Sequence, residues 1–132
     1  MTDWNAYRAN MQKNVKALAQ LTPNTLKGLQ TLETPLPELR HLDAKTRELI
    51  ALAVAVTTRC DGCIAVHSAA ARKEGASKEE IAEALGVAVA LNAGAALVYS
   101  SRVMEAFDST EGEPGPSARQ GYTPCLLGLR QR

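Results

Sequence analysis

The chain has 132 residues, of which 45% are hydrophobic, 22% charged and 4% aromatic, a length that suits one compact domain. Fifteen Lys and Arg residues against 14 Asp and Glu leave a formal charge of +1. There is thus no basic excess to draw a nucleic-acid backbone or an anionic membrane surface, and neither is expected as a partner. The longest strictly apolar run, Leu49 to Val56, is too short for a membrane span. The opening Met1-Thr2-Asp3-Trp4-Asn5 lacks a signal-peptide pattern, so a soluble cytoplasmic protein is expected. Three cysteines are too few for a secreted disulfide scaffold, which directs attention to chemistry at the Cys60/Cys63 pair.

Apolar residues recur at spacings of three and four, and no stretch alternates in the manner of a strand, so the fold class is all-α. Trp4, Tyr7, Met11, Val15 and Leu18 mark a first amphipathic helix from Asp3 to about Leu21. Thr22-Pro23 stops it and opens a second helix with Thr22 as its cap, which carries Leu26, Leu29 and Leu32 until Pro35 and Pro37 break the pattern. Residues 1–38 thus form a helical arm. Asp43 caps a third helix to about Thr58, apolar on every side between Leu49 and Val56 and therefore expected in the middle of the fold.

A fourth helix begins near Cys60 and stops at Gly75, a residue suited to the left-handed position past a helix end. Ser77-Lys78-Glu79-Glu80 is a capping-box pattern opening a fifth helix, and Asn92 to Phe107 reads as a sixth. Residues 39–108 make up the core domain. Its interior relies on Ala, Val and Leu, a thin core that calls for a partner subunit. From Ser109 to Pro116 the composition turns to Gly, Pro and acidic residues, so 109–132 is an irregular tail that docks through Tyr122 to Leu127.

The chemistry concentrates in Cys60-Asp61-Gly62-Cys63-Ile64-Ala65-Val66-His67, with Glu48 on the preceding helix. In a helix starting at Cys60, Cys63 lies beside Cys60 and His67 beside Cys63. The unpaired N–H groups and positive dipole end of that first turn stabilise a thiolate. A histidine one turn on accepts the thiol proton, and a nearby glutamate orients the imidazole or relays that proton. If the chain reverses near Arg59, Glu48 lies roughly 16 Å back from the turn and His67 roughly 10 Å beyond it. Their depths are similar but unequal, and contact calls for a bridging water or a tilted crossing.

Other readings of these residues are blander. The two cysteines are inert buried thiols, His67 a structural histidine, and Glu48 a carboxylate favoured near a helix N-terminus. Two Cys, one His and one Glu also make four zinc ligands. Against that, Cys60 and His67 are separated by about 10.5 Å of helical rise, whereas zinc ligands converge to about 2 Å from the metal. A thioredoxin-type domain requires a βαβ setting that is missing here. Cys125 reads as an ordinary free thiol and His41 as a loop residue.

The order Glu48, Cys60-x-x-Cys63, His67, followed by Ala70-Ala71-Arg72-Lys73-Glu74-Gly75-Ala76-Ser77-Lys78-Glu79-Glu80-Ile81, resembles the AhpD-like branch of the carboxymuconolactone decarboxylase superfamily over about Leu42 to Phe107. The resemblance implies the all-helical AhpD-like fold, assembled as trimers or hexamers. It implies thiol-dependent reduction of hydroperoxides, or dithiol–disulfide exchange, without metal or cofactor. Cys63 would be the thiol deprotonated through His67, Cys60 the partner that closes a disulfide, and Glu48 part of the proton relay. The substrate would be a hydroperoxide and the reductant a lipoyl group or thioredoxin-like protein. Some family members carry a second histidine between the cysteines, where this chain has Gly62. The lactone decarboxylases proper work without the cysteine pair, so decarboxylation fits poorly. A reading of another class is a non-catalytic redox sensor or oligomeric binding protein whose cysteines alter packing on oxidation.

Overall fold

The computed structural model describes residues 1–34 and 36–110, which fold without strands into five α-helices and one 3₁₀ turn. These are α1 (Trp4–Leu21), α2 (Pro23–Glu33), the 3₁₀ turn Pro37–Leu39, α3 (Ala44–Thr57), α4 (Asp61–Lys73) and α5 (Lys78–Asp108). The expected tail from residue 111 onward, with Cys125 and the docking segment Tyr122 to Leu127, lies outside the described residues. The contacts divide the chain into two units, 1–96 and 97–132, with the boundary inside α5.

Local chemistry sets the helix ends. The Asp3 carboxylate accepts from the amides of Asn5 and Ala6 to open α1, and that of Asp43 accepts from Thr46 N to open α3. The bonds from Thr46 hold the Asp43 carboxyl below the usual carboxylate range. Pro23 occupies the first turn of α2 as expected, but the Thr22 hydroxyl donates back to Leu18 O in α1 and does not cap α2. The capping box before α5 is complete: Ser77 N donates to Glu80 Oε2 at 2.9 Å, and Glu80 N donates to Ser77 Oγ at 3.1 Å. Glu80 also accepts from Lys45 Nζ at 2.7 Å, which ties α5 to α3 and holds the Glu80 carboxyl below its ordinary value and the Lys45 ammonium above its own.

Two reversals have the same construction. After α3, Arg59 takes a left-handed φ of 54° while Cys60 N donates to Ala55 O; after α4, Gly75 takes φ 79° while Ala76 N donates to Ala71 O. Both are Schellman closures, and at Arg59 a non-glycine residue accepts a cost of roughly 1–2 kcal/mol. That turn delivers Cys60 to the N-terminus of α4.

Three expectations need correction. The fifth and sixth helices are one, because the Asn92 amide Nδ2 turns back to Ala88 O at 2.7 Å and neither caps nor breaks the helix. Between Glu83 and Arg102 this merged helix carries no charge, so by length and composition it could cross a membrane, although no single unbroken apolar run suggested as much. Nor does α3 lie in the middle of the fold. Leu52 and Ala55 are buried while Ile50 and Val54 remain about half exposed, because α3 packs one face on α4. The buried core among the described residues is Leu52, Ala55, Ala65, Ala71 and Ala88, almost entirely alanine. In unit 1, α1 packs on both α2 and α4.

Candidate active site

Cys60 is the N-cap of α4 and Cys63 lies in its first turn, the two joined as a disulfide with their Cα atoms 5.2 Å apart. The Cys63 amide donates to Cys60 Sγ at 3.1 Å, so the cap that opens the helix is itself a sulfur of the pair. Both cysteines are half-buried. In the reduced protein this amide and the dipole of the 13-residue α4 favour negative charge on sulfur.

His67 follows Cys63 by one turn, and its Nδ1 lies 2.8 Å from Glu48 Oε2 on α3. The contact is direct and no bridging water is needed to span the unequal depths expected from helical rise. Side-chain exposures of 31% for His67 and 23% for Glu48 leave the pair shielded but reachable from solvent. With Nδ1 committed to the carboxylate, Nε2 is the nitrogen available for proton transfer. The structure therefore brings Glu48 and His67 into contact and sets both cysteines on the helix that carries His67. Among the described residues, no group of three His, Cys, Asp or Glu side chains is placed to hold a metal ion.

A cavity of about 480 Å³ adjoins the pair, lined by Glu33, Thr34, Arg47, Glu48, Ala51 and His67. Arg47 was not singled out from sequence. Its Nη2 donates to Glu33 O at 3.1 Å, fixing the end of α2 beside the site. The signal was available, since Ala44, Arg47, Glu48 and Ala51 share one helical face, but only the cavity gives that face a purpose. The other surprise is Met11 of α1. A Cβ placed on Gly62 would lie 3.4 Å from Met11 Sδ, so the Met11 side chain lies over one of the two residues between the cysteines.

The fold and this geometry define an all-helical protein with a paired-cysteine centre backed by an imidazole–carboxylate pair. The family model described as "Carboxymuconolactone decarboxylase family" matches residues 23–106, and the chain belongs to that family. An uncharacterised protein of Haemophilus influenzae is 51% identical over 106 residues, covering 80% of this chain and 94% of the relative. An uncharacterised protein of Cupriavidus necator is 29% identical over 108 residues, covering 82% and 96%. A crystal structure of an apo carboxymuconolactone decarboxylase family protein from Legionella pneumophila superposes with a TM-score of 0.62 at 33% identity, covering 80% of this chain and 95% of that one.

Proposed function

We propose that the protein is an AhpD-like thiol-dependent peroxidase or dithiol–disulfide oxidoreductase. The observation that carries the reading is the Cys60/Cys63 pair at the start of α4, one turn before an imidazole held at 2.8 Å by Glu48. In the reduced protein His67 accepts the Cys63 proton. The thiolate attacks the distal oxygen of a hydroperoxide, breaking the O–O bond to give a Cys63 sulfenic acid, and the departing alkoxide takes the proton from His67 to leave as the alcohol. The Cys60 thiol condenses with the sulfenic acid, releasing water and forming the disulfide. An external dithiol, a lipoyl group or thioredoxin-like protein, then attacks Cys63 Sγ. The Cys60 thiolate so expelled is stabilised by the Cys63 amide, which makes it a good leaving group.

The test uses fully reduced protein mixed with cumene hydroperoxide, with Cys125→Ser as control. Free thiols are counted and the disulfide is mapped by mass spectrometry. The expected result is loss of two thiols as a Cys60–Cys63 bond, repeated over many cycles when a dithiol is supplied. Oxidation that occurs once and is not regenerated by any dithiol identifies a redox sensor, and thiols that survive beside intact hydroperoxide remove the peroxidase reading.

The active form is a homo-oligomer of three or six chains in the cytoplasm. Support comes from the apolar residues left exposed on two separate helices, Ile50 and Val54 on α3 and Val87, Leu91 and Leu97 on α5. A bilayer would cover α5 only. Gly86 and Gly94 add open surface, since a Cβ at either would meet nothing within 4 Å, which lets another helix approach closely. Light scattering on the detergent-free full chain is expected to give the mass of three or six copies; a monomer mass overturns this.

A further inference from the structure

Away from the redox pair, α1 and α4 line a second, solvent-open cavity of about 460 Å³. Its walls include the indole of Trp4, the guanidinium-bearing Arg8 and Arg72, the apolar Ile64 and Ala65, and Ser68. None of its lining residues is acidic, and it shares none with the cavity beside His67. It adjoins a third cavity of about 360 Å³ through Ser68 and Arg72, and that one adds Lys78 and Ile81, again with no acidic lining residue.

The three cations differ in how they are held. Arg8 is half-buried and fixed, its Nη2 donating to Asn5 Oδ1 at 3.1 Å and its Nη1 lying 3.5 Å from Ala65 O. Neither Arg8, Arg72 nor Lys78 has a carboxylate within ion-pair distance among the described residues. Trp4, 43% exposed, lies edge-on to Tyr7 with ring centroids 5.8 Å apart. A concave site with an aromatic wall, apolar floor and three cations lacking acidic partners has the composition of a pocket for an amphipathic anion.

We infer that the α1/α4 cavity binds a small amphipathic carboxylate, the head group held by Arg8 and Arg72 and the apolar body lying on Trp4 and Ile64. Guanidinium groups match a carboxylate in a two-bond geometry, and Lys78 adds long-range attraction along the adjoining cavity. This site is independent of the redox proposal, since its ligand need not react.

The chain has a single tryptophan, so its fluorescence reports on this cavity. Octanoate is titrated into the full-length protein and followed by Trp4 emission and by calorimetry, with octanol and inorganic phosphate as matched probes lacking one half of the ligand. The expected result is saturable octanoate binding, at least about tenfold weaker for octanol and for phosphate, and weakened about tenfold by Arg72→Ala. Arg72→Lys should fall between the two. Arg72 is exposed, and the bond it gives the fold, from Gly75 N to its backbone carbonyl, is kept in Arg72→Ala; Lys78→Ala is a second variant, expected to weaken binding less. Equal affinity for octanol, equal affinity for phosphate, no heat or fluorescence change with octanoate, or wild-type affinity in Arg72→Ala would each overturn the inference.

Discussion

Replacing Cys63 with Ser is expected to lower hydroperoxide consumption by about a thousandfold or more, because a serine hydroxyl is not ionised where a helix-start thiol is. The informative comparison is Cys60→Ser. That variant keeps the attacking sulfur, the imidazole and the first turn of α4 but has nothing to condense with the sulfenic acid. It should consume one equivalent of hydroperoxide per chain and then stop, with the sulfenic acid trapped on Cys63 by dimedone. If Cys60→Ser is the variant that never reacts and Cys63→Ser reacts once, the roles of the two sulfurs are reversed. The bond from Cys63 N to Cys60 Sγ makes that outcome a real alternative, since it also stabilises charge on Cys60.

The second large effect concerns His67 and Glu48. His67→Ala removes the proposed acceptor of the thiol proton and should slow the reaction with hydroperoxide by about a hundredfold or more at neutral pH. The alkylation of reduced protein by iodoacetamide should at the same time move to higher pH, because on the proposed relay the imidazole that takes the thiol proton is gone. An unchanged pH–rate curve in His67→Ala would sink the relay. In the proposed relay Glu48 acts only through the imidazole it contacts, which would make it a positioning residue. Glu48→Gln preserves size and one hydrogen-bond oxygen while removing the charge, and a loss of about tenfold is expected, again with a displaced pH–rate curve. A Glu48→Gln variant that lost thermal stability but kept the wild-type pH profile would show a structural carboxylate instead.

How much of this was legible in the sequence depends on how local each cause is. Asp43 before α3, Ser77 to Glu80 before α5 and Gly75 after α4 act within a few residues, and each took the expected place. Thr22 looked like a cap of the same kind, but a second acceptor at Leu18 O won its hydroxyl. Asn92 looked like a helix boundary; its amide could equally bond back to Ala88 O, and composition does not choose between these outcomes. The order Glu48, Cys60, Cys63, His67 was readable because helical spacing puts the last three on one helix. Counting rise along two axes did not give the direct Glu48–His67 bond, because it ignores the reach of both side chains. Arg47 and Met11 were missed for the opposite reason: each gains its place from another helix, α2 for Arg47 and α4 for Met11.

The contact between Met11 and Gly62 bears on whether the Cys60 to His67 segment is a self-contained cassette. Eight consecutive residues carry both sulfurs and the imidazole, which makes the segment look portable to other helical scaffolds. Yet the space above Gly62 belongs to a thioether 51 positions upstream, counting from Met11 to Gly62. A graft would carry the nucleophile and leave its roof behind. Conversely, a bulkier side chain at position 62 would have to displace the Met11 thioether, so those two positions are coupled across the helices.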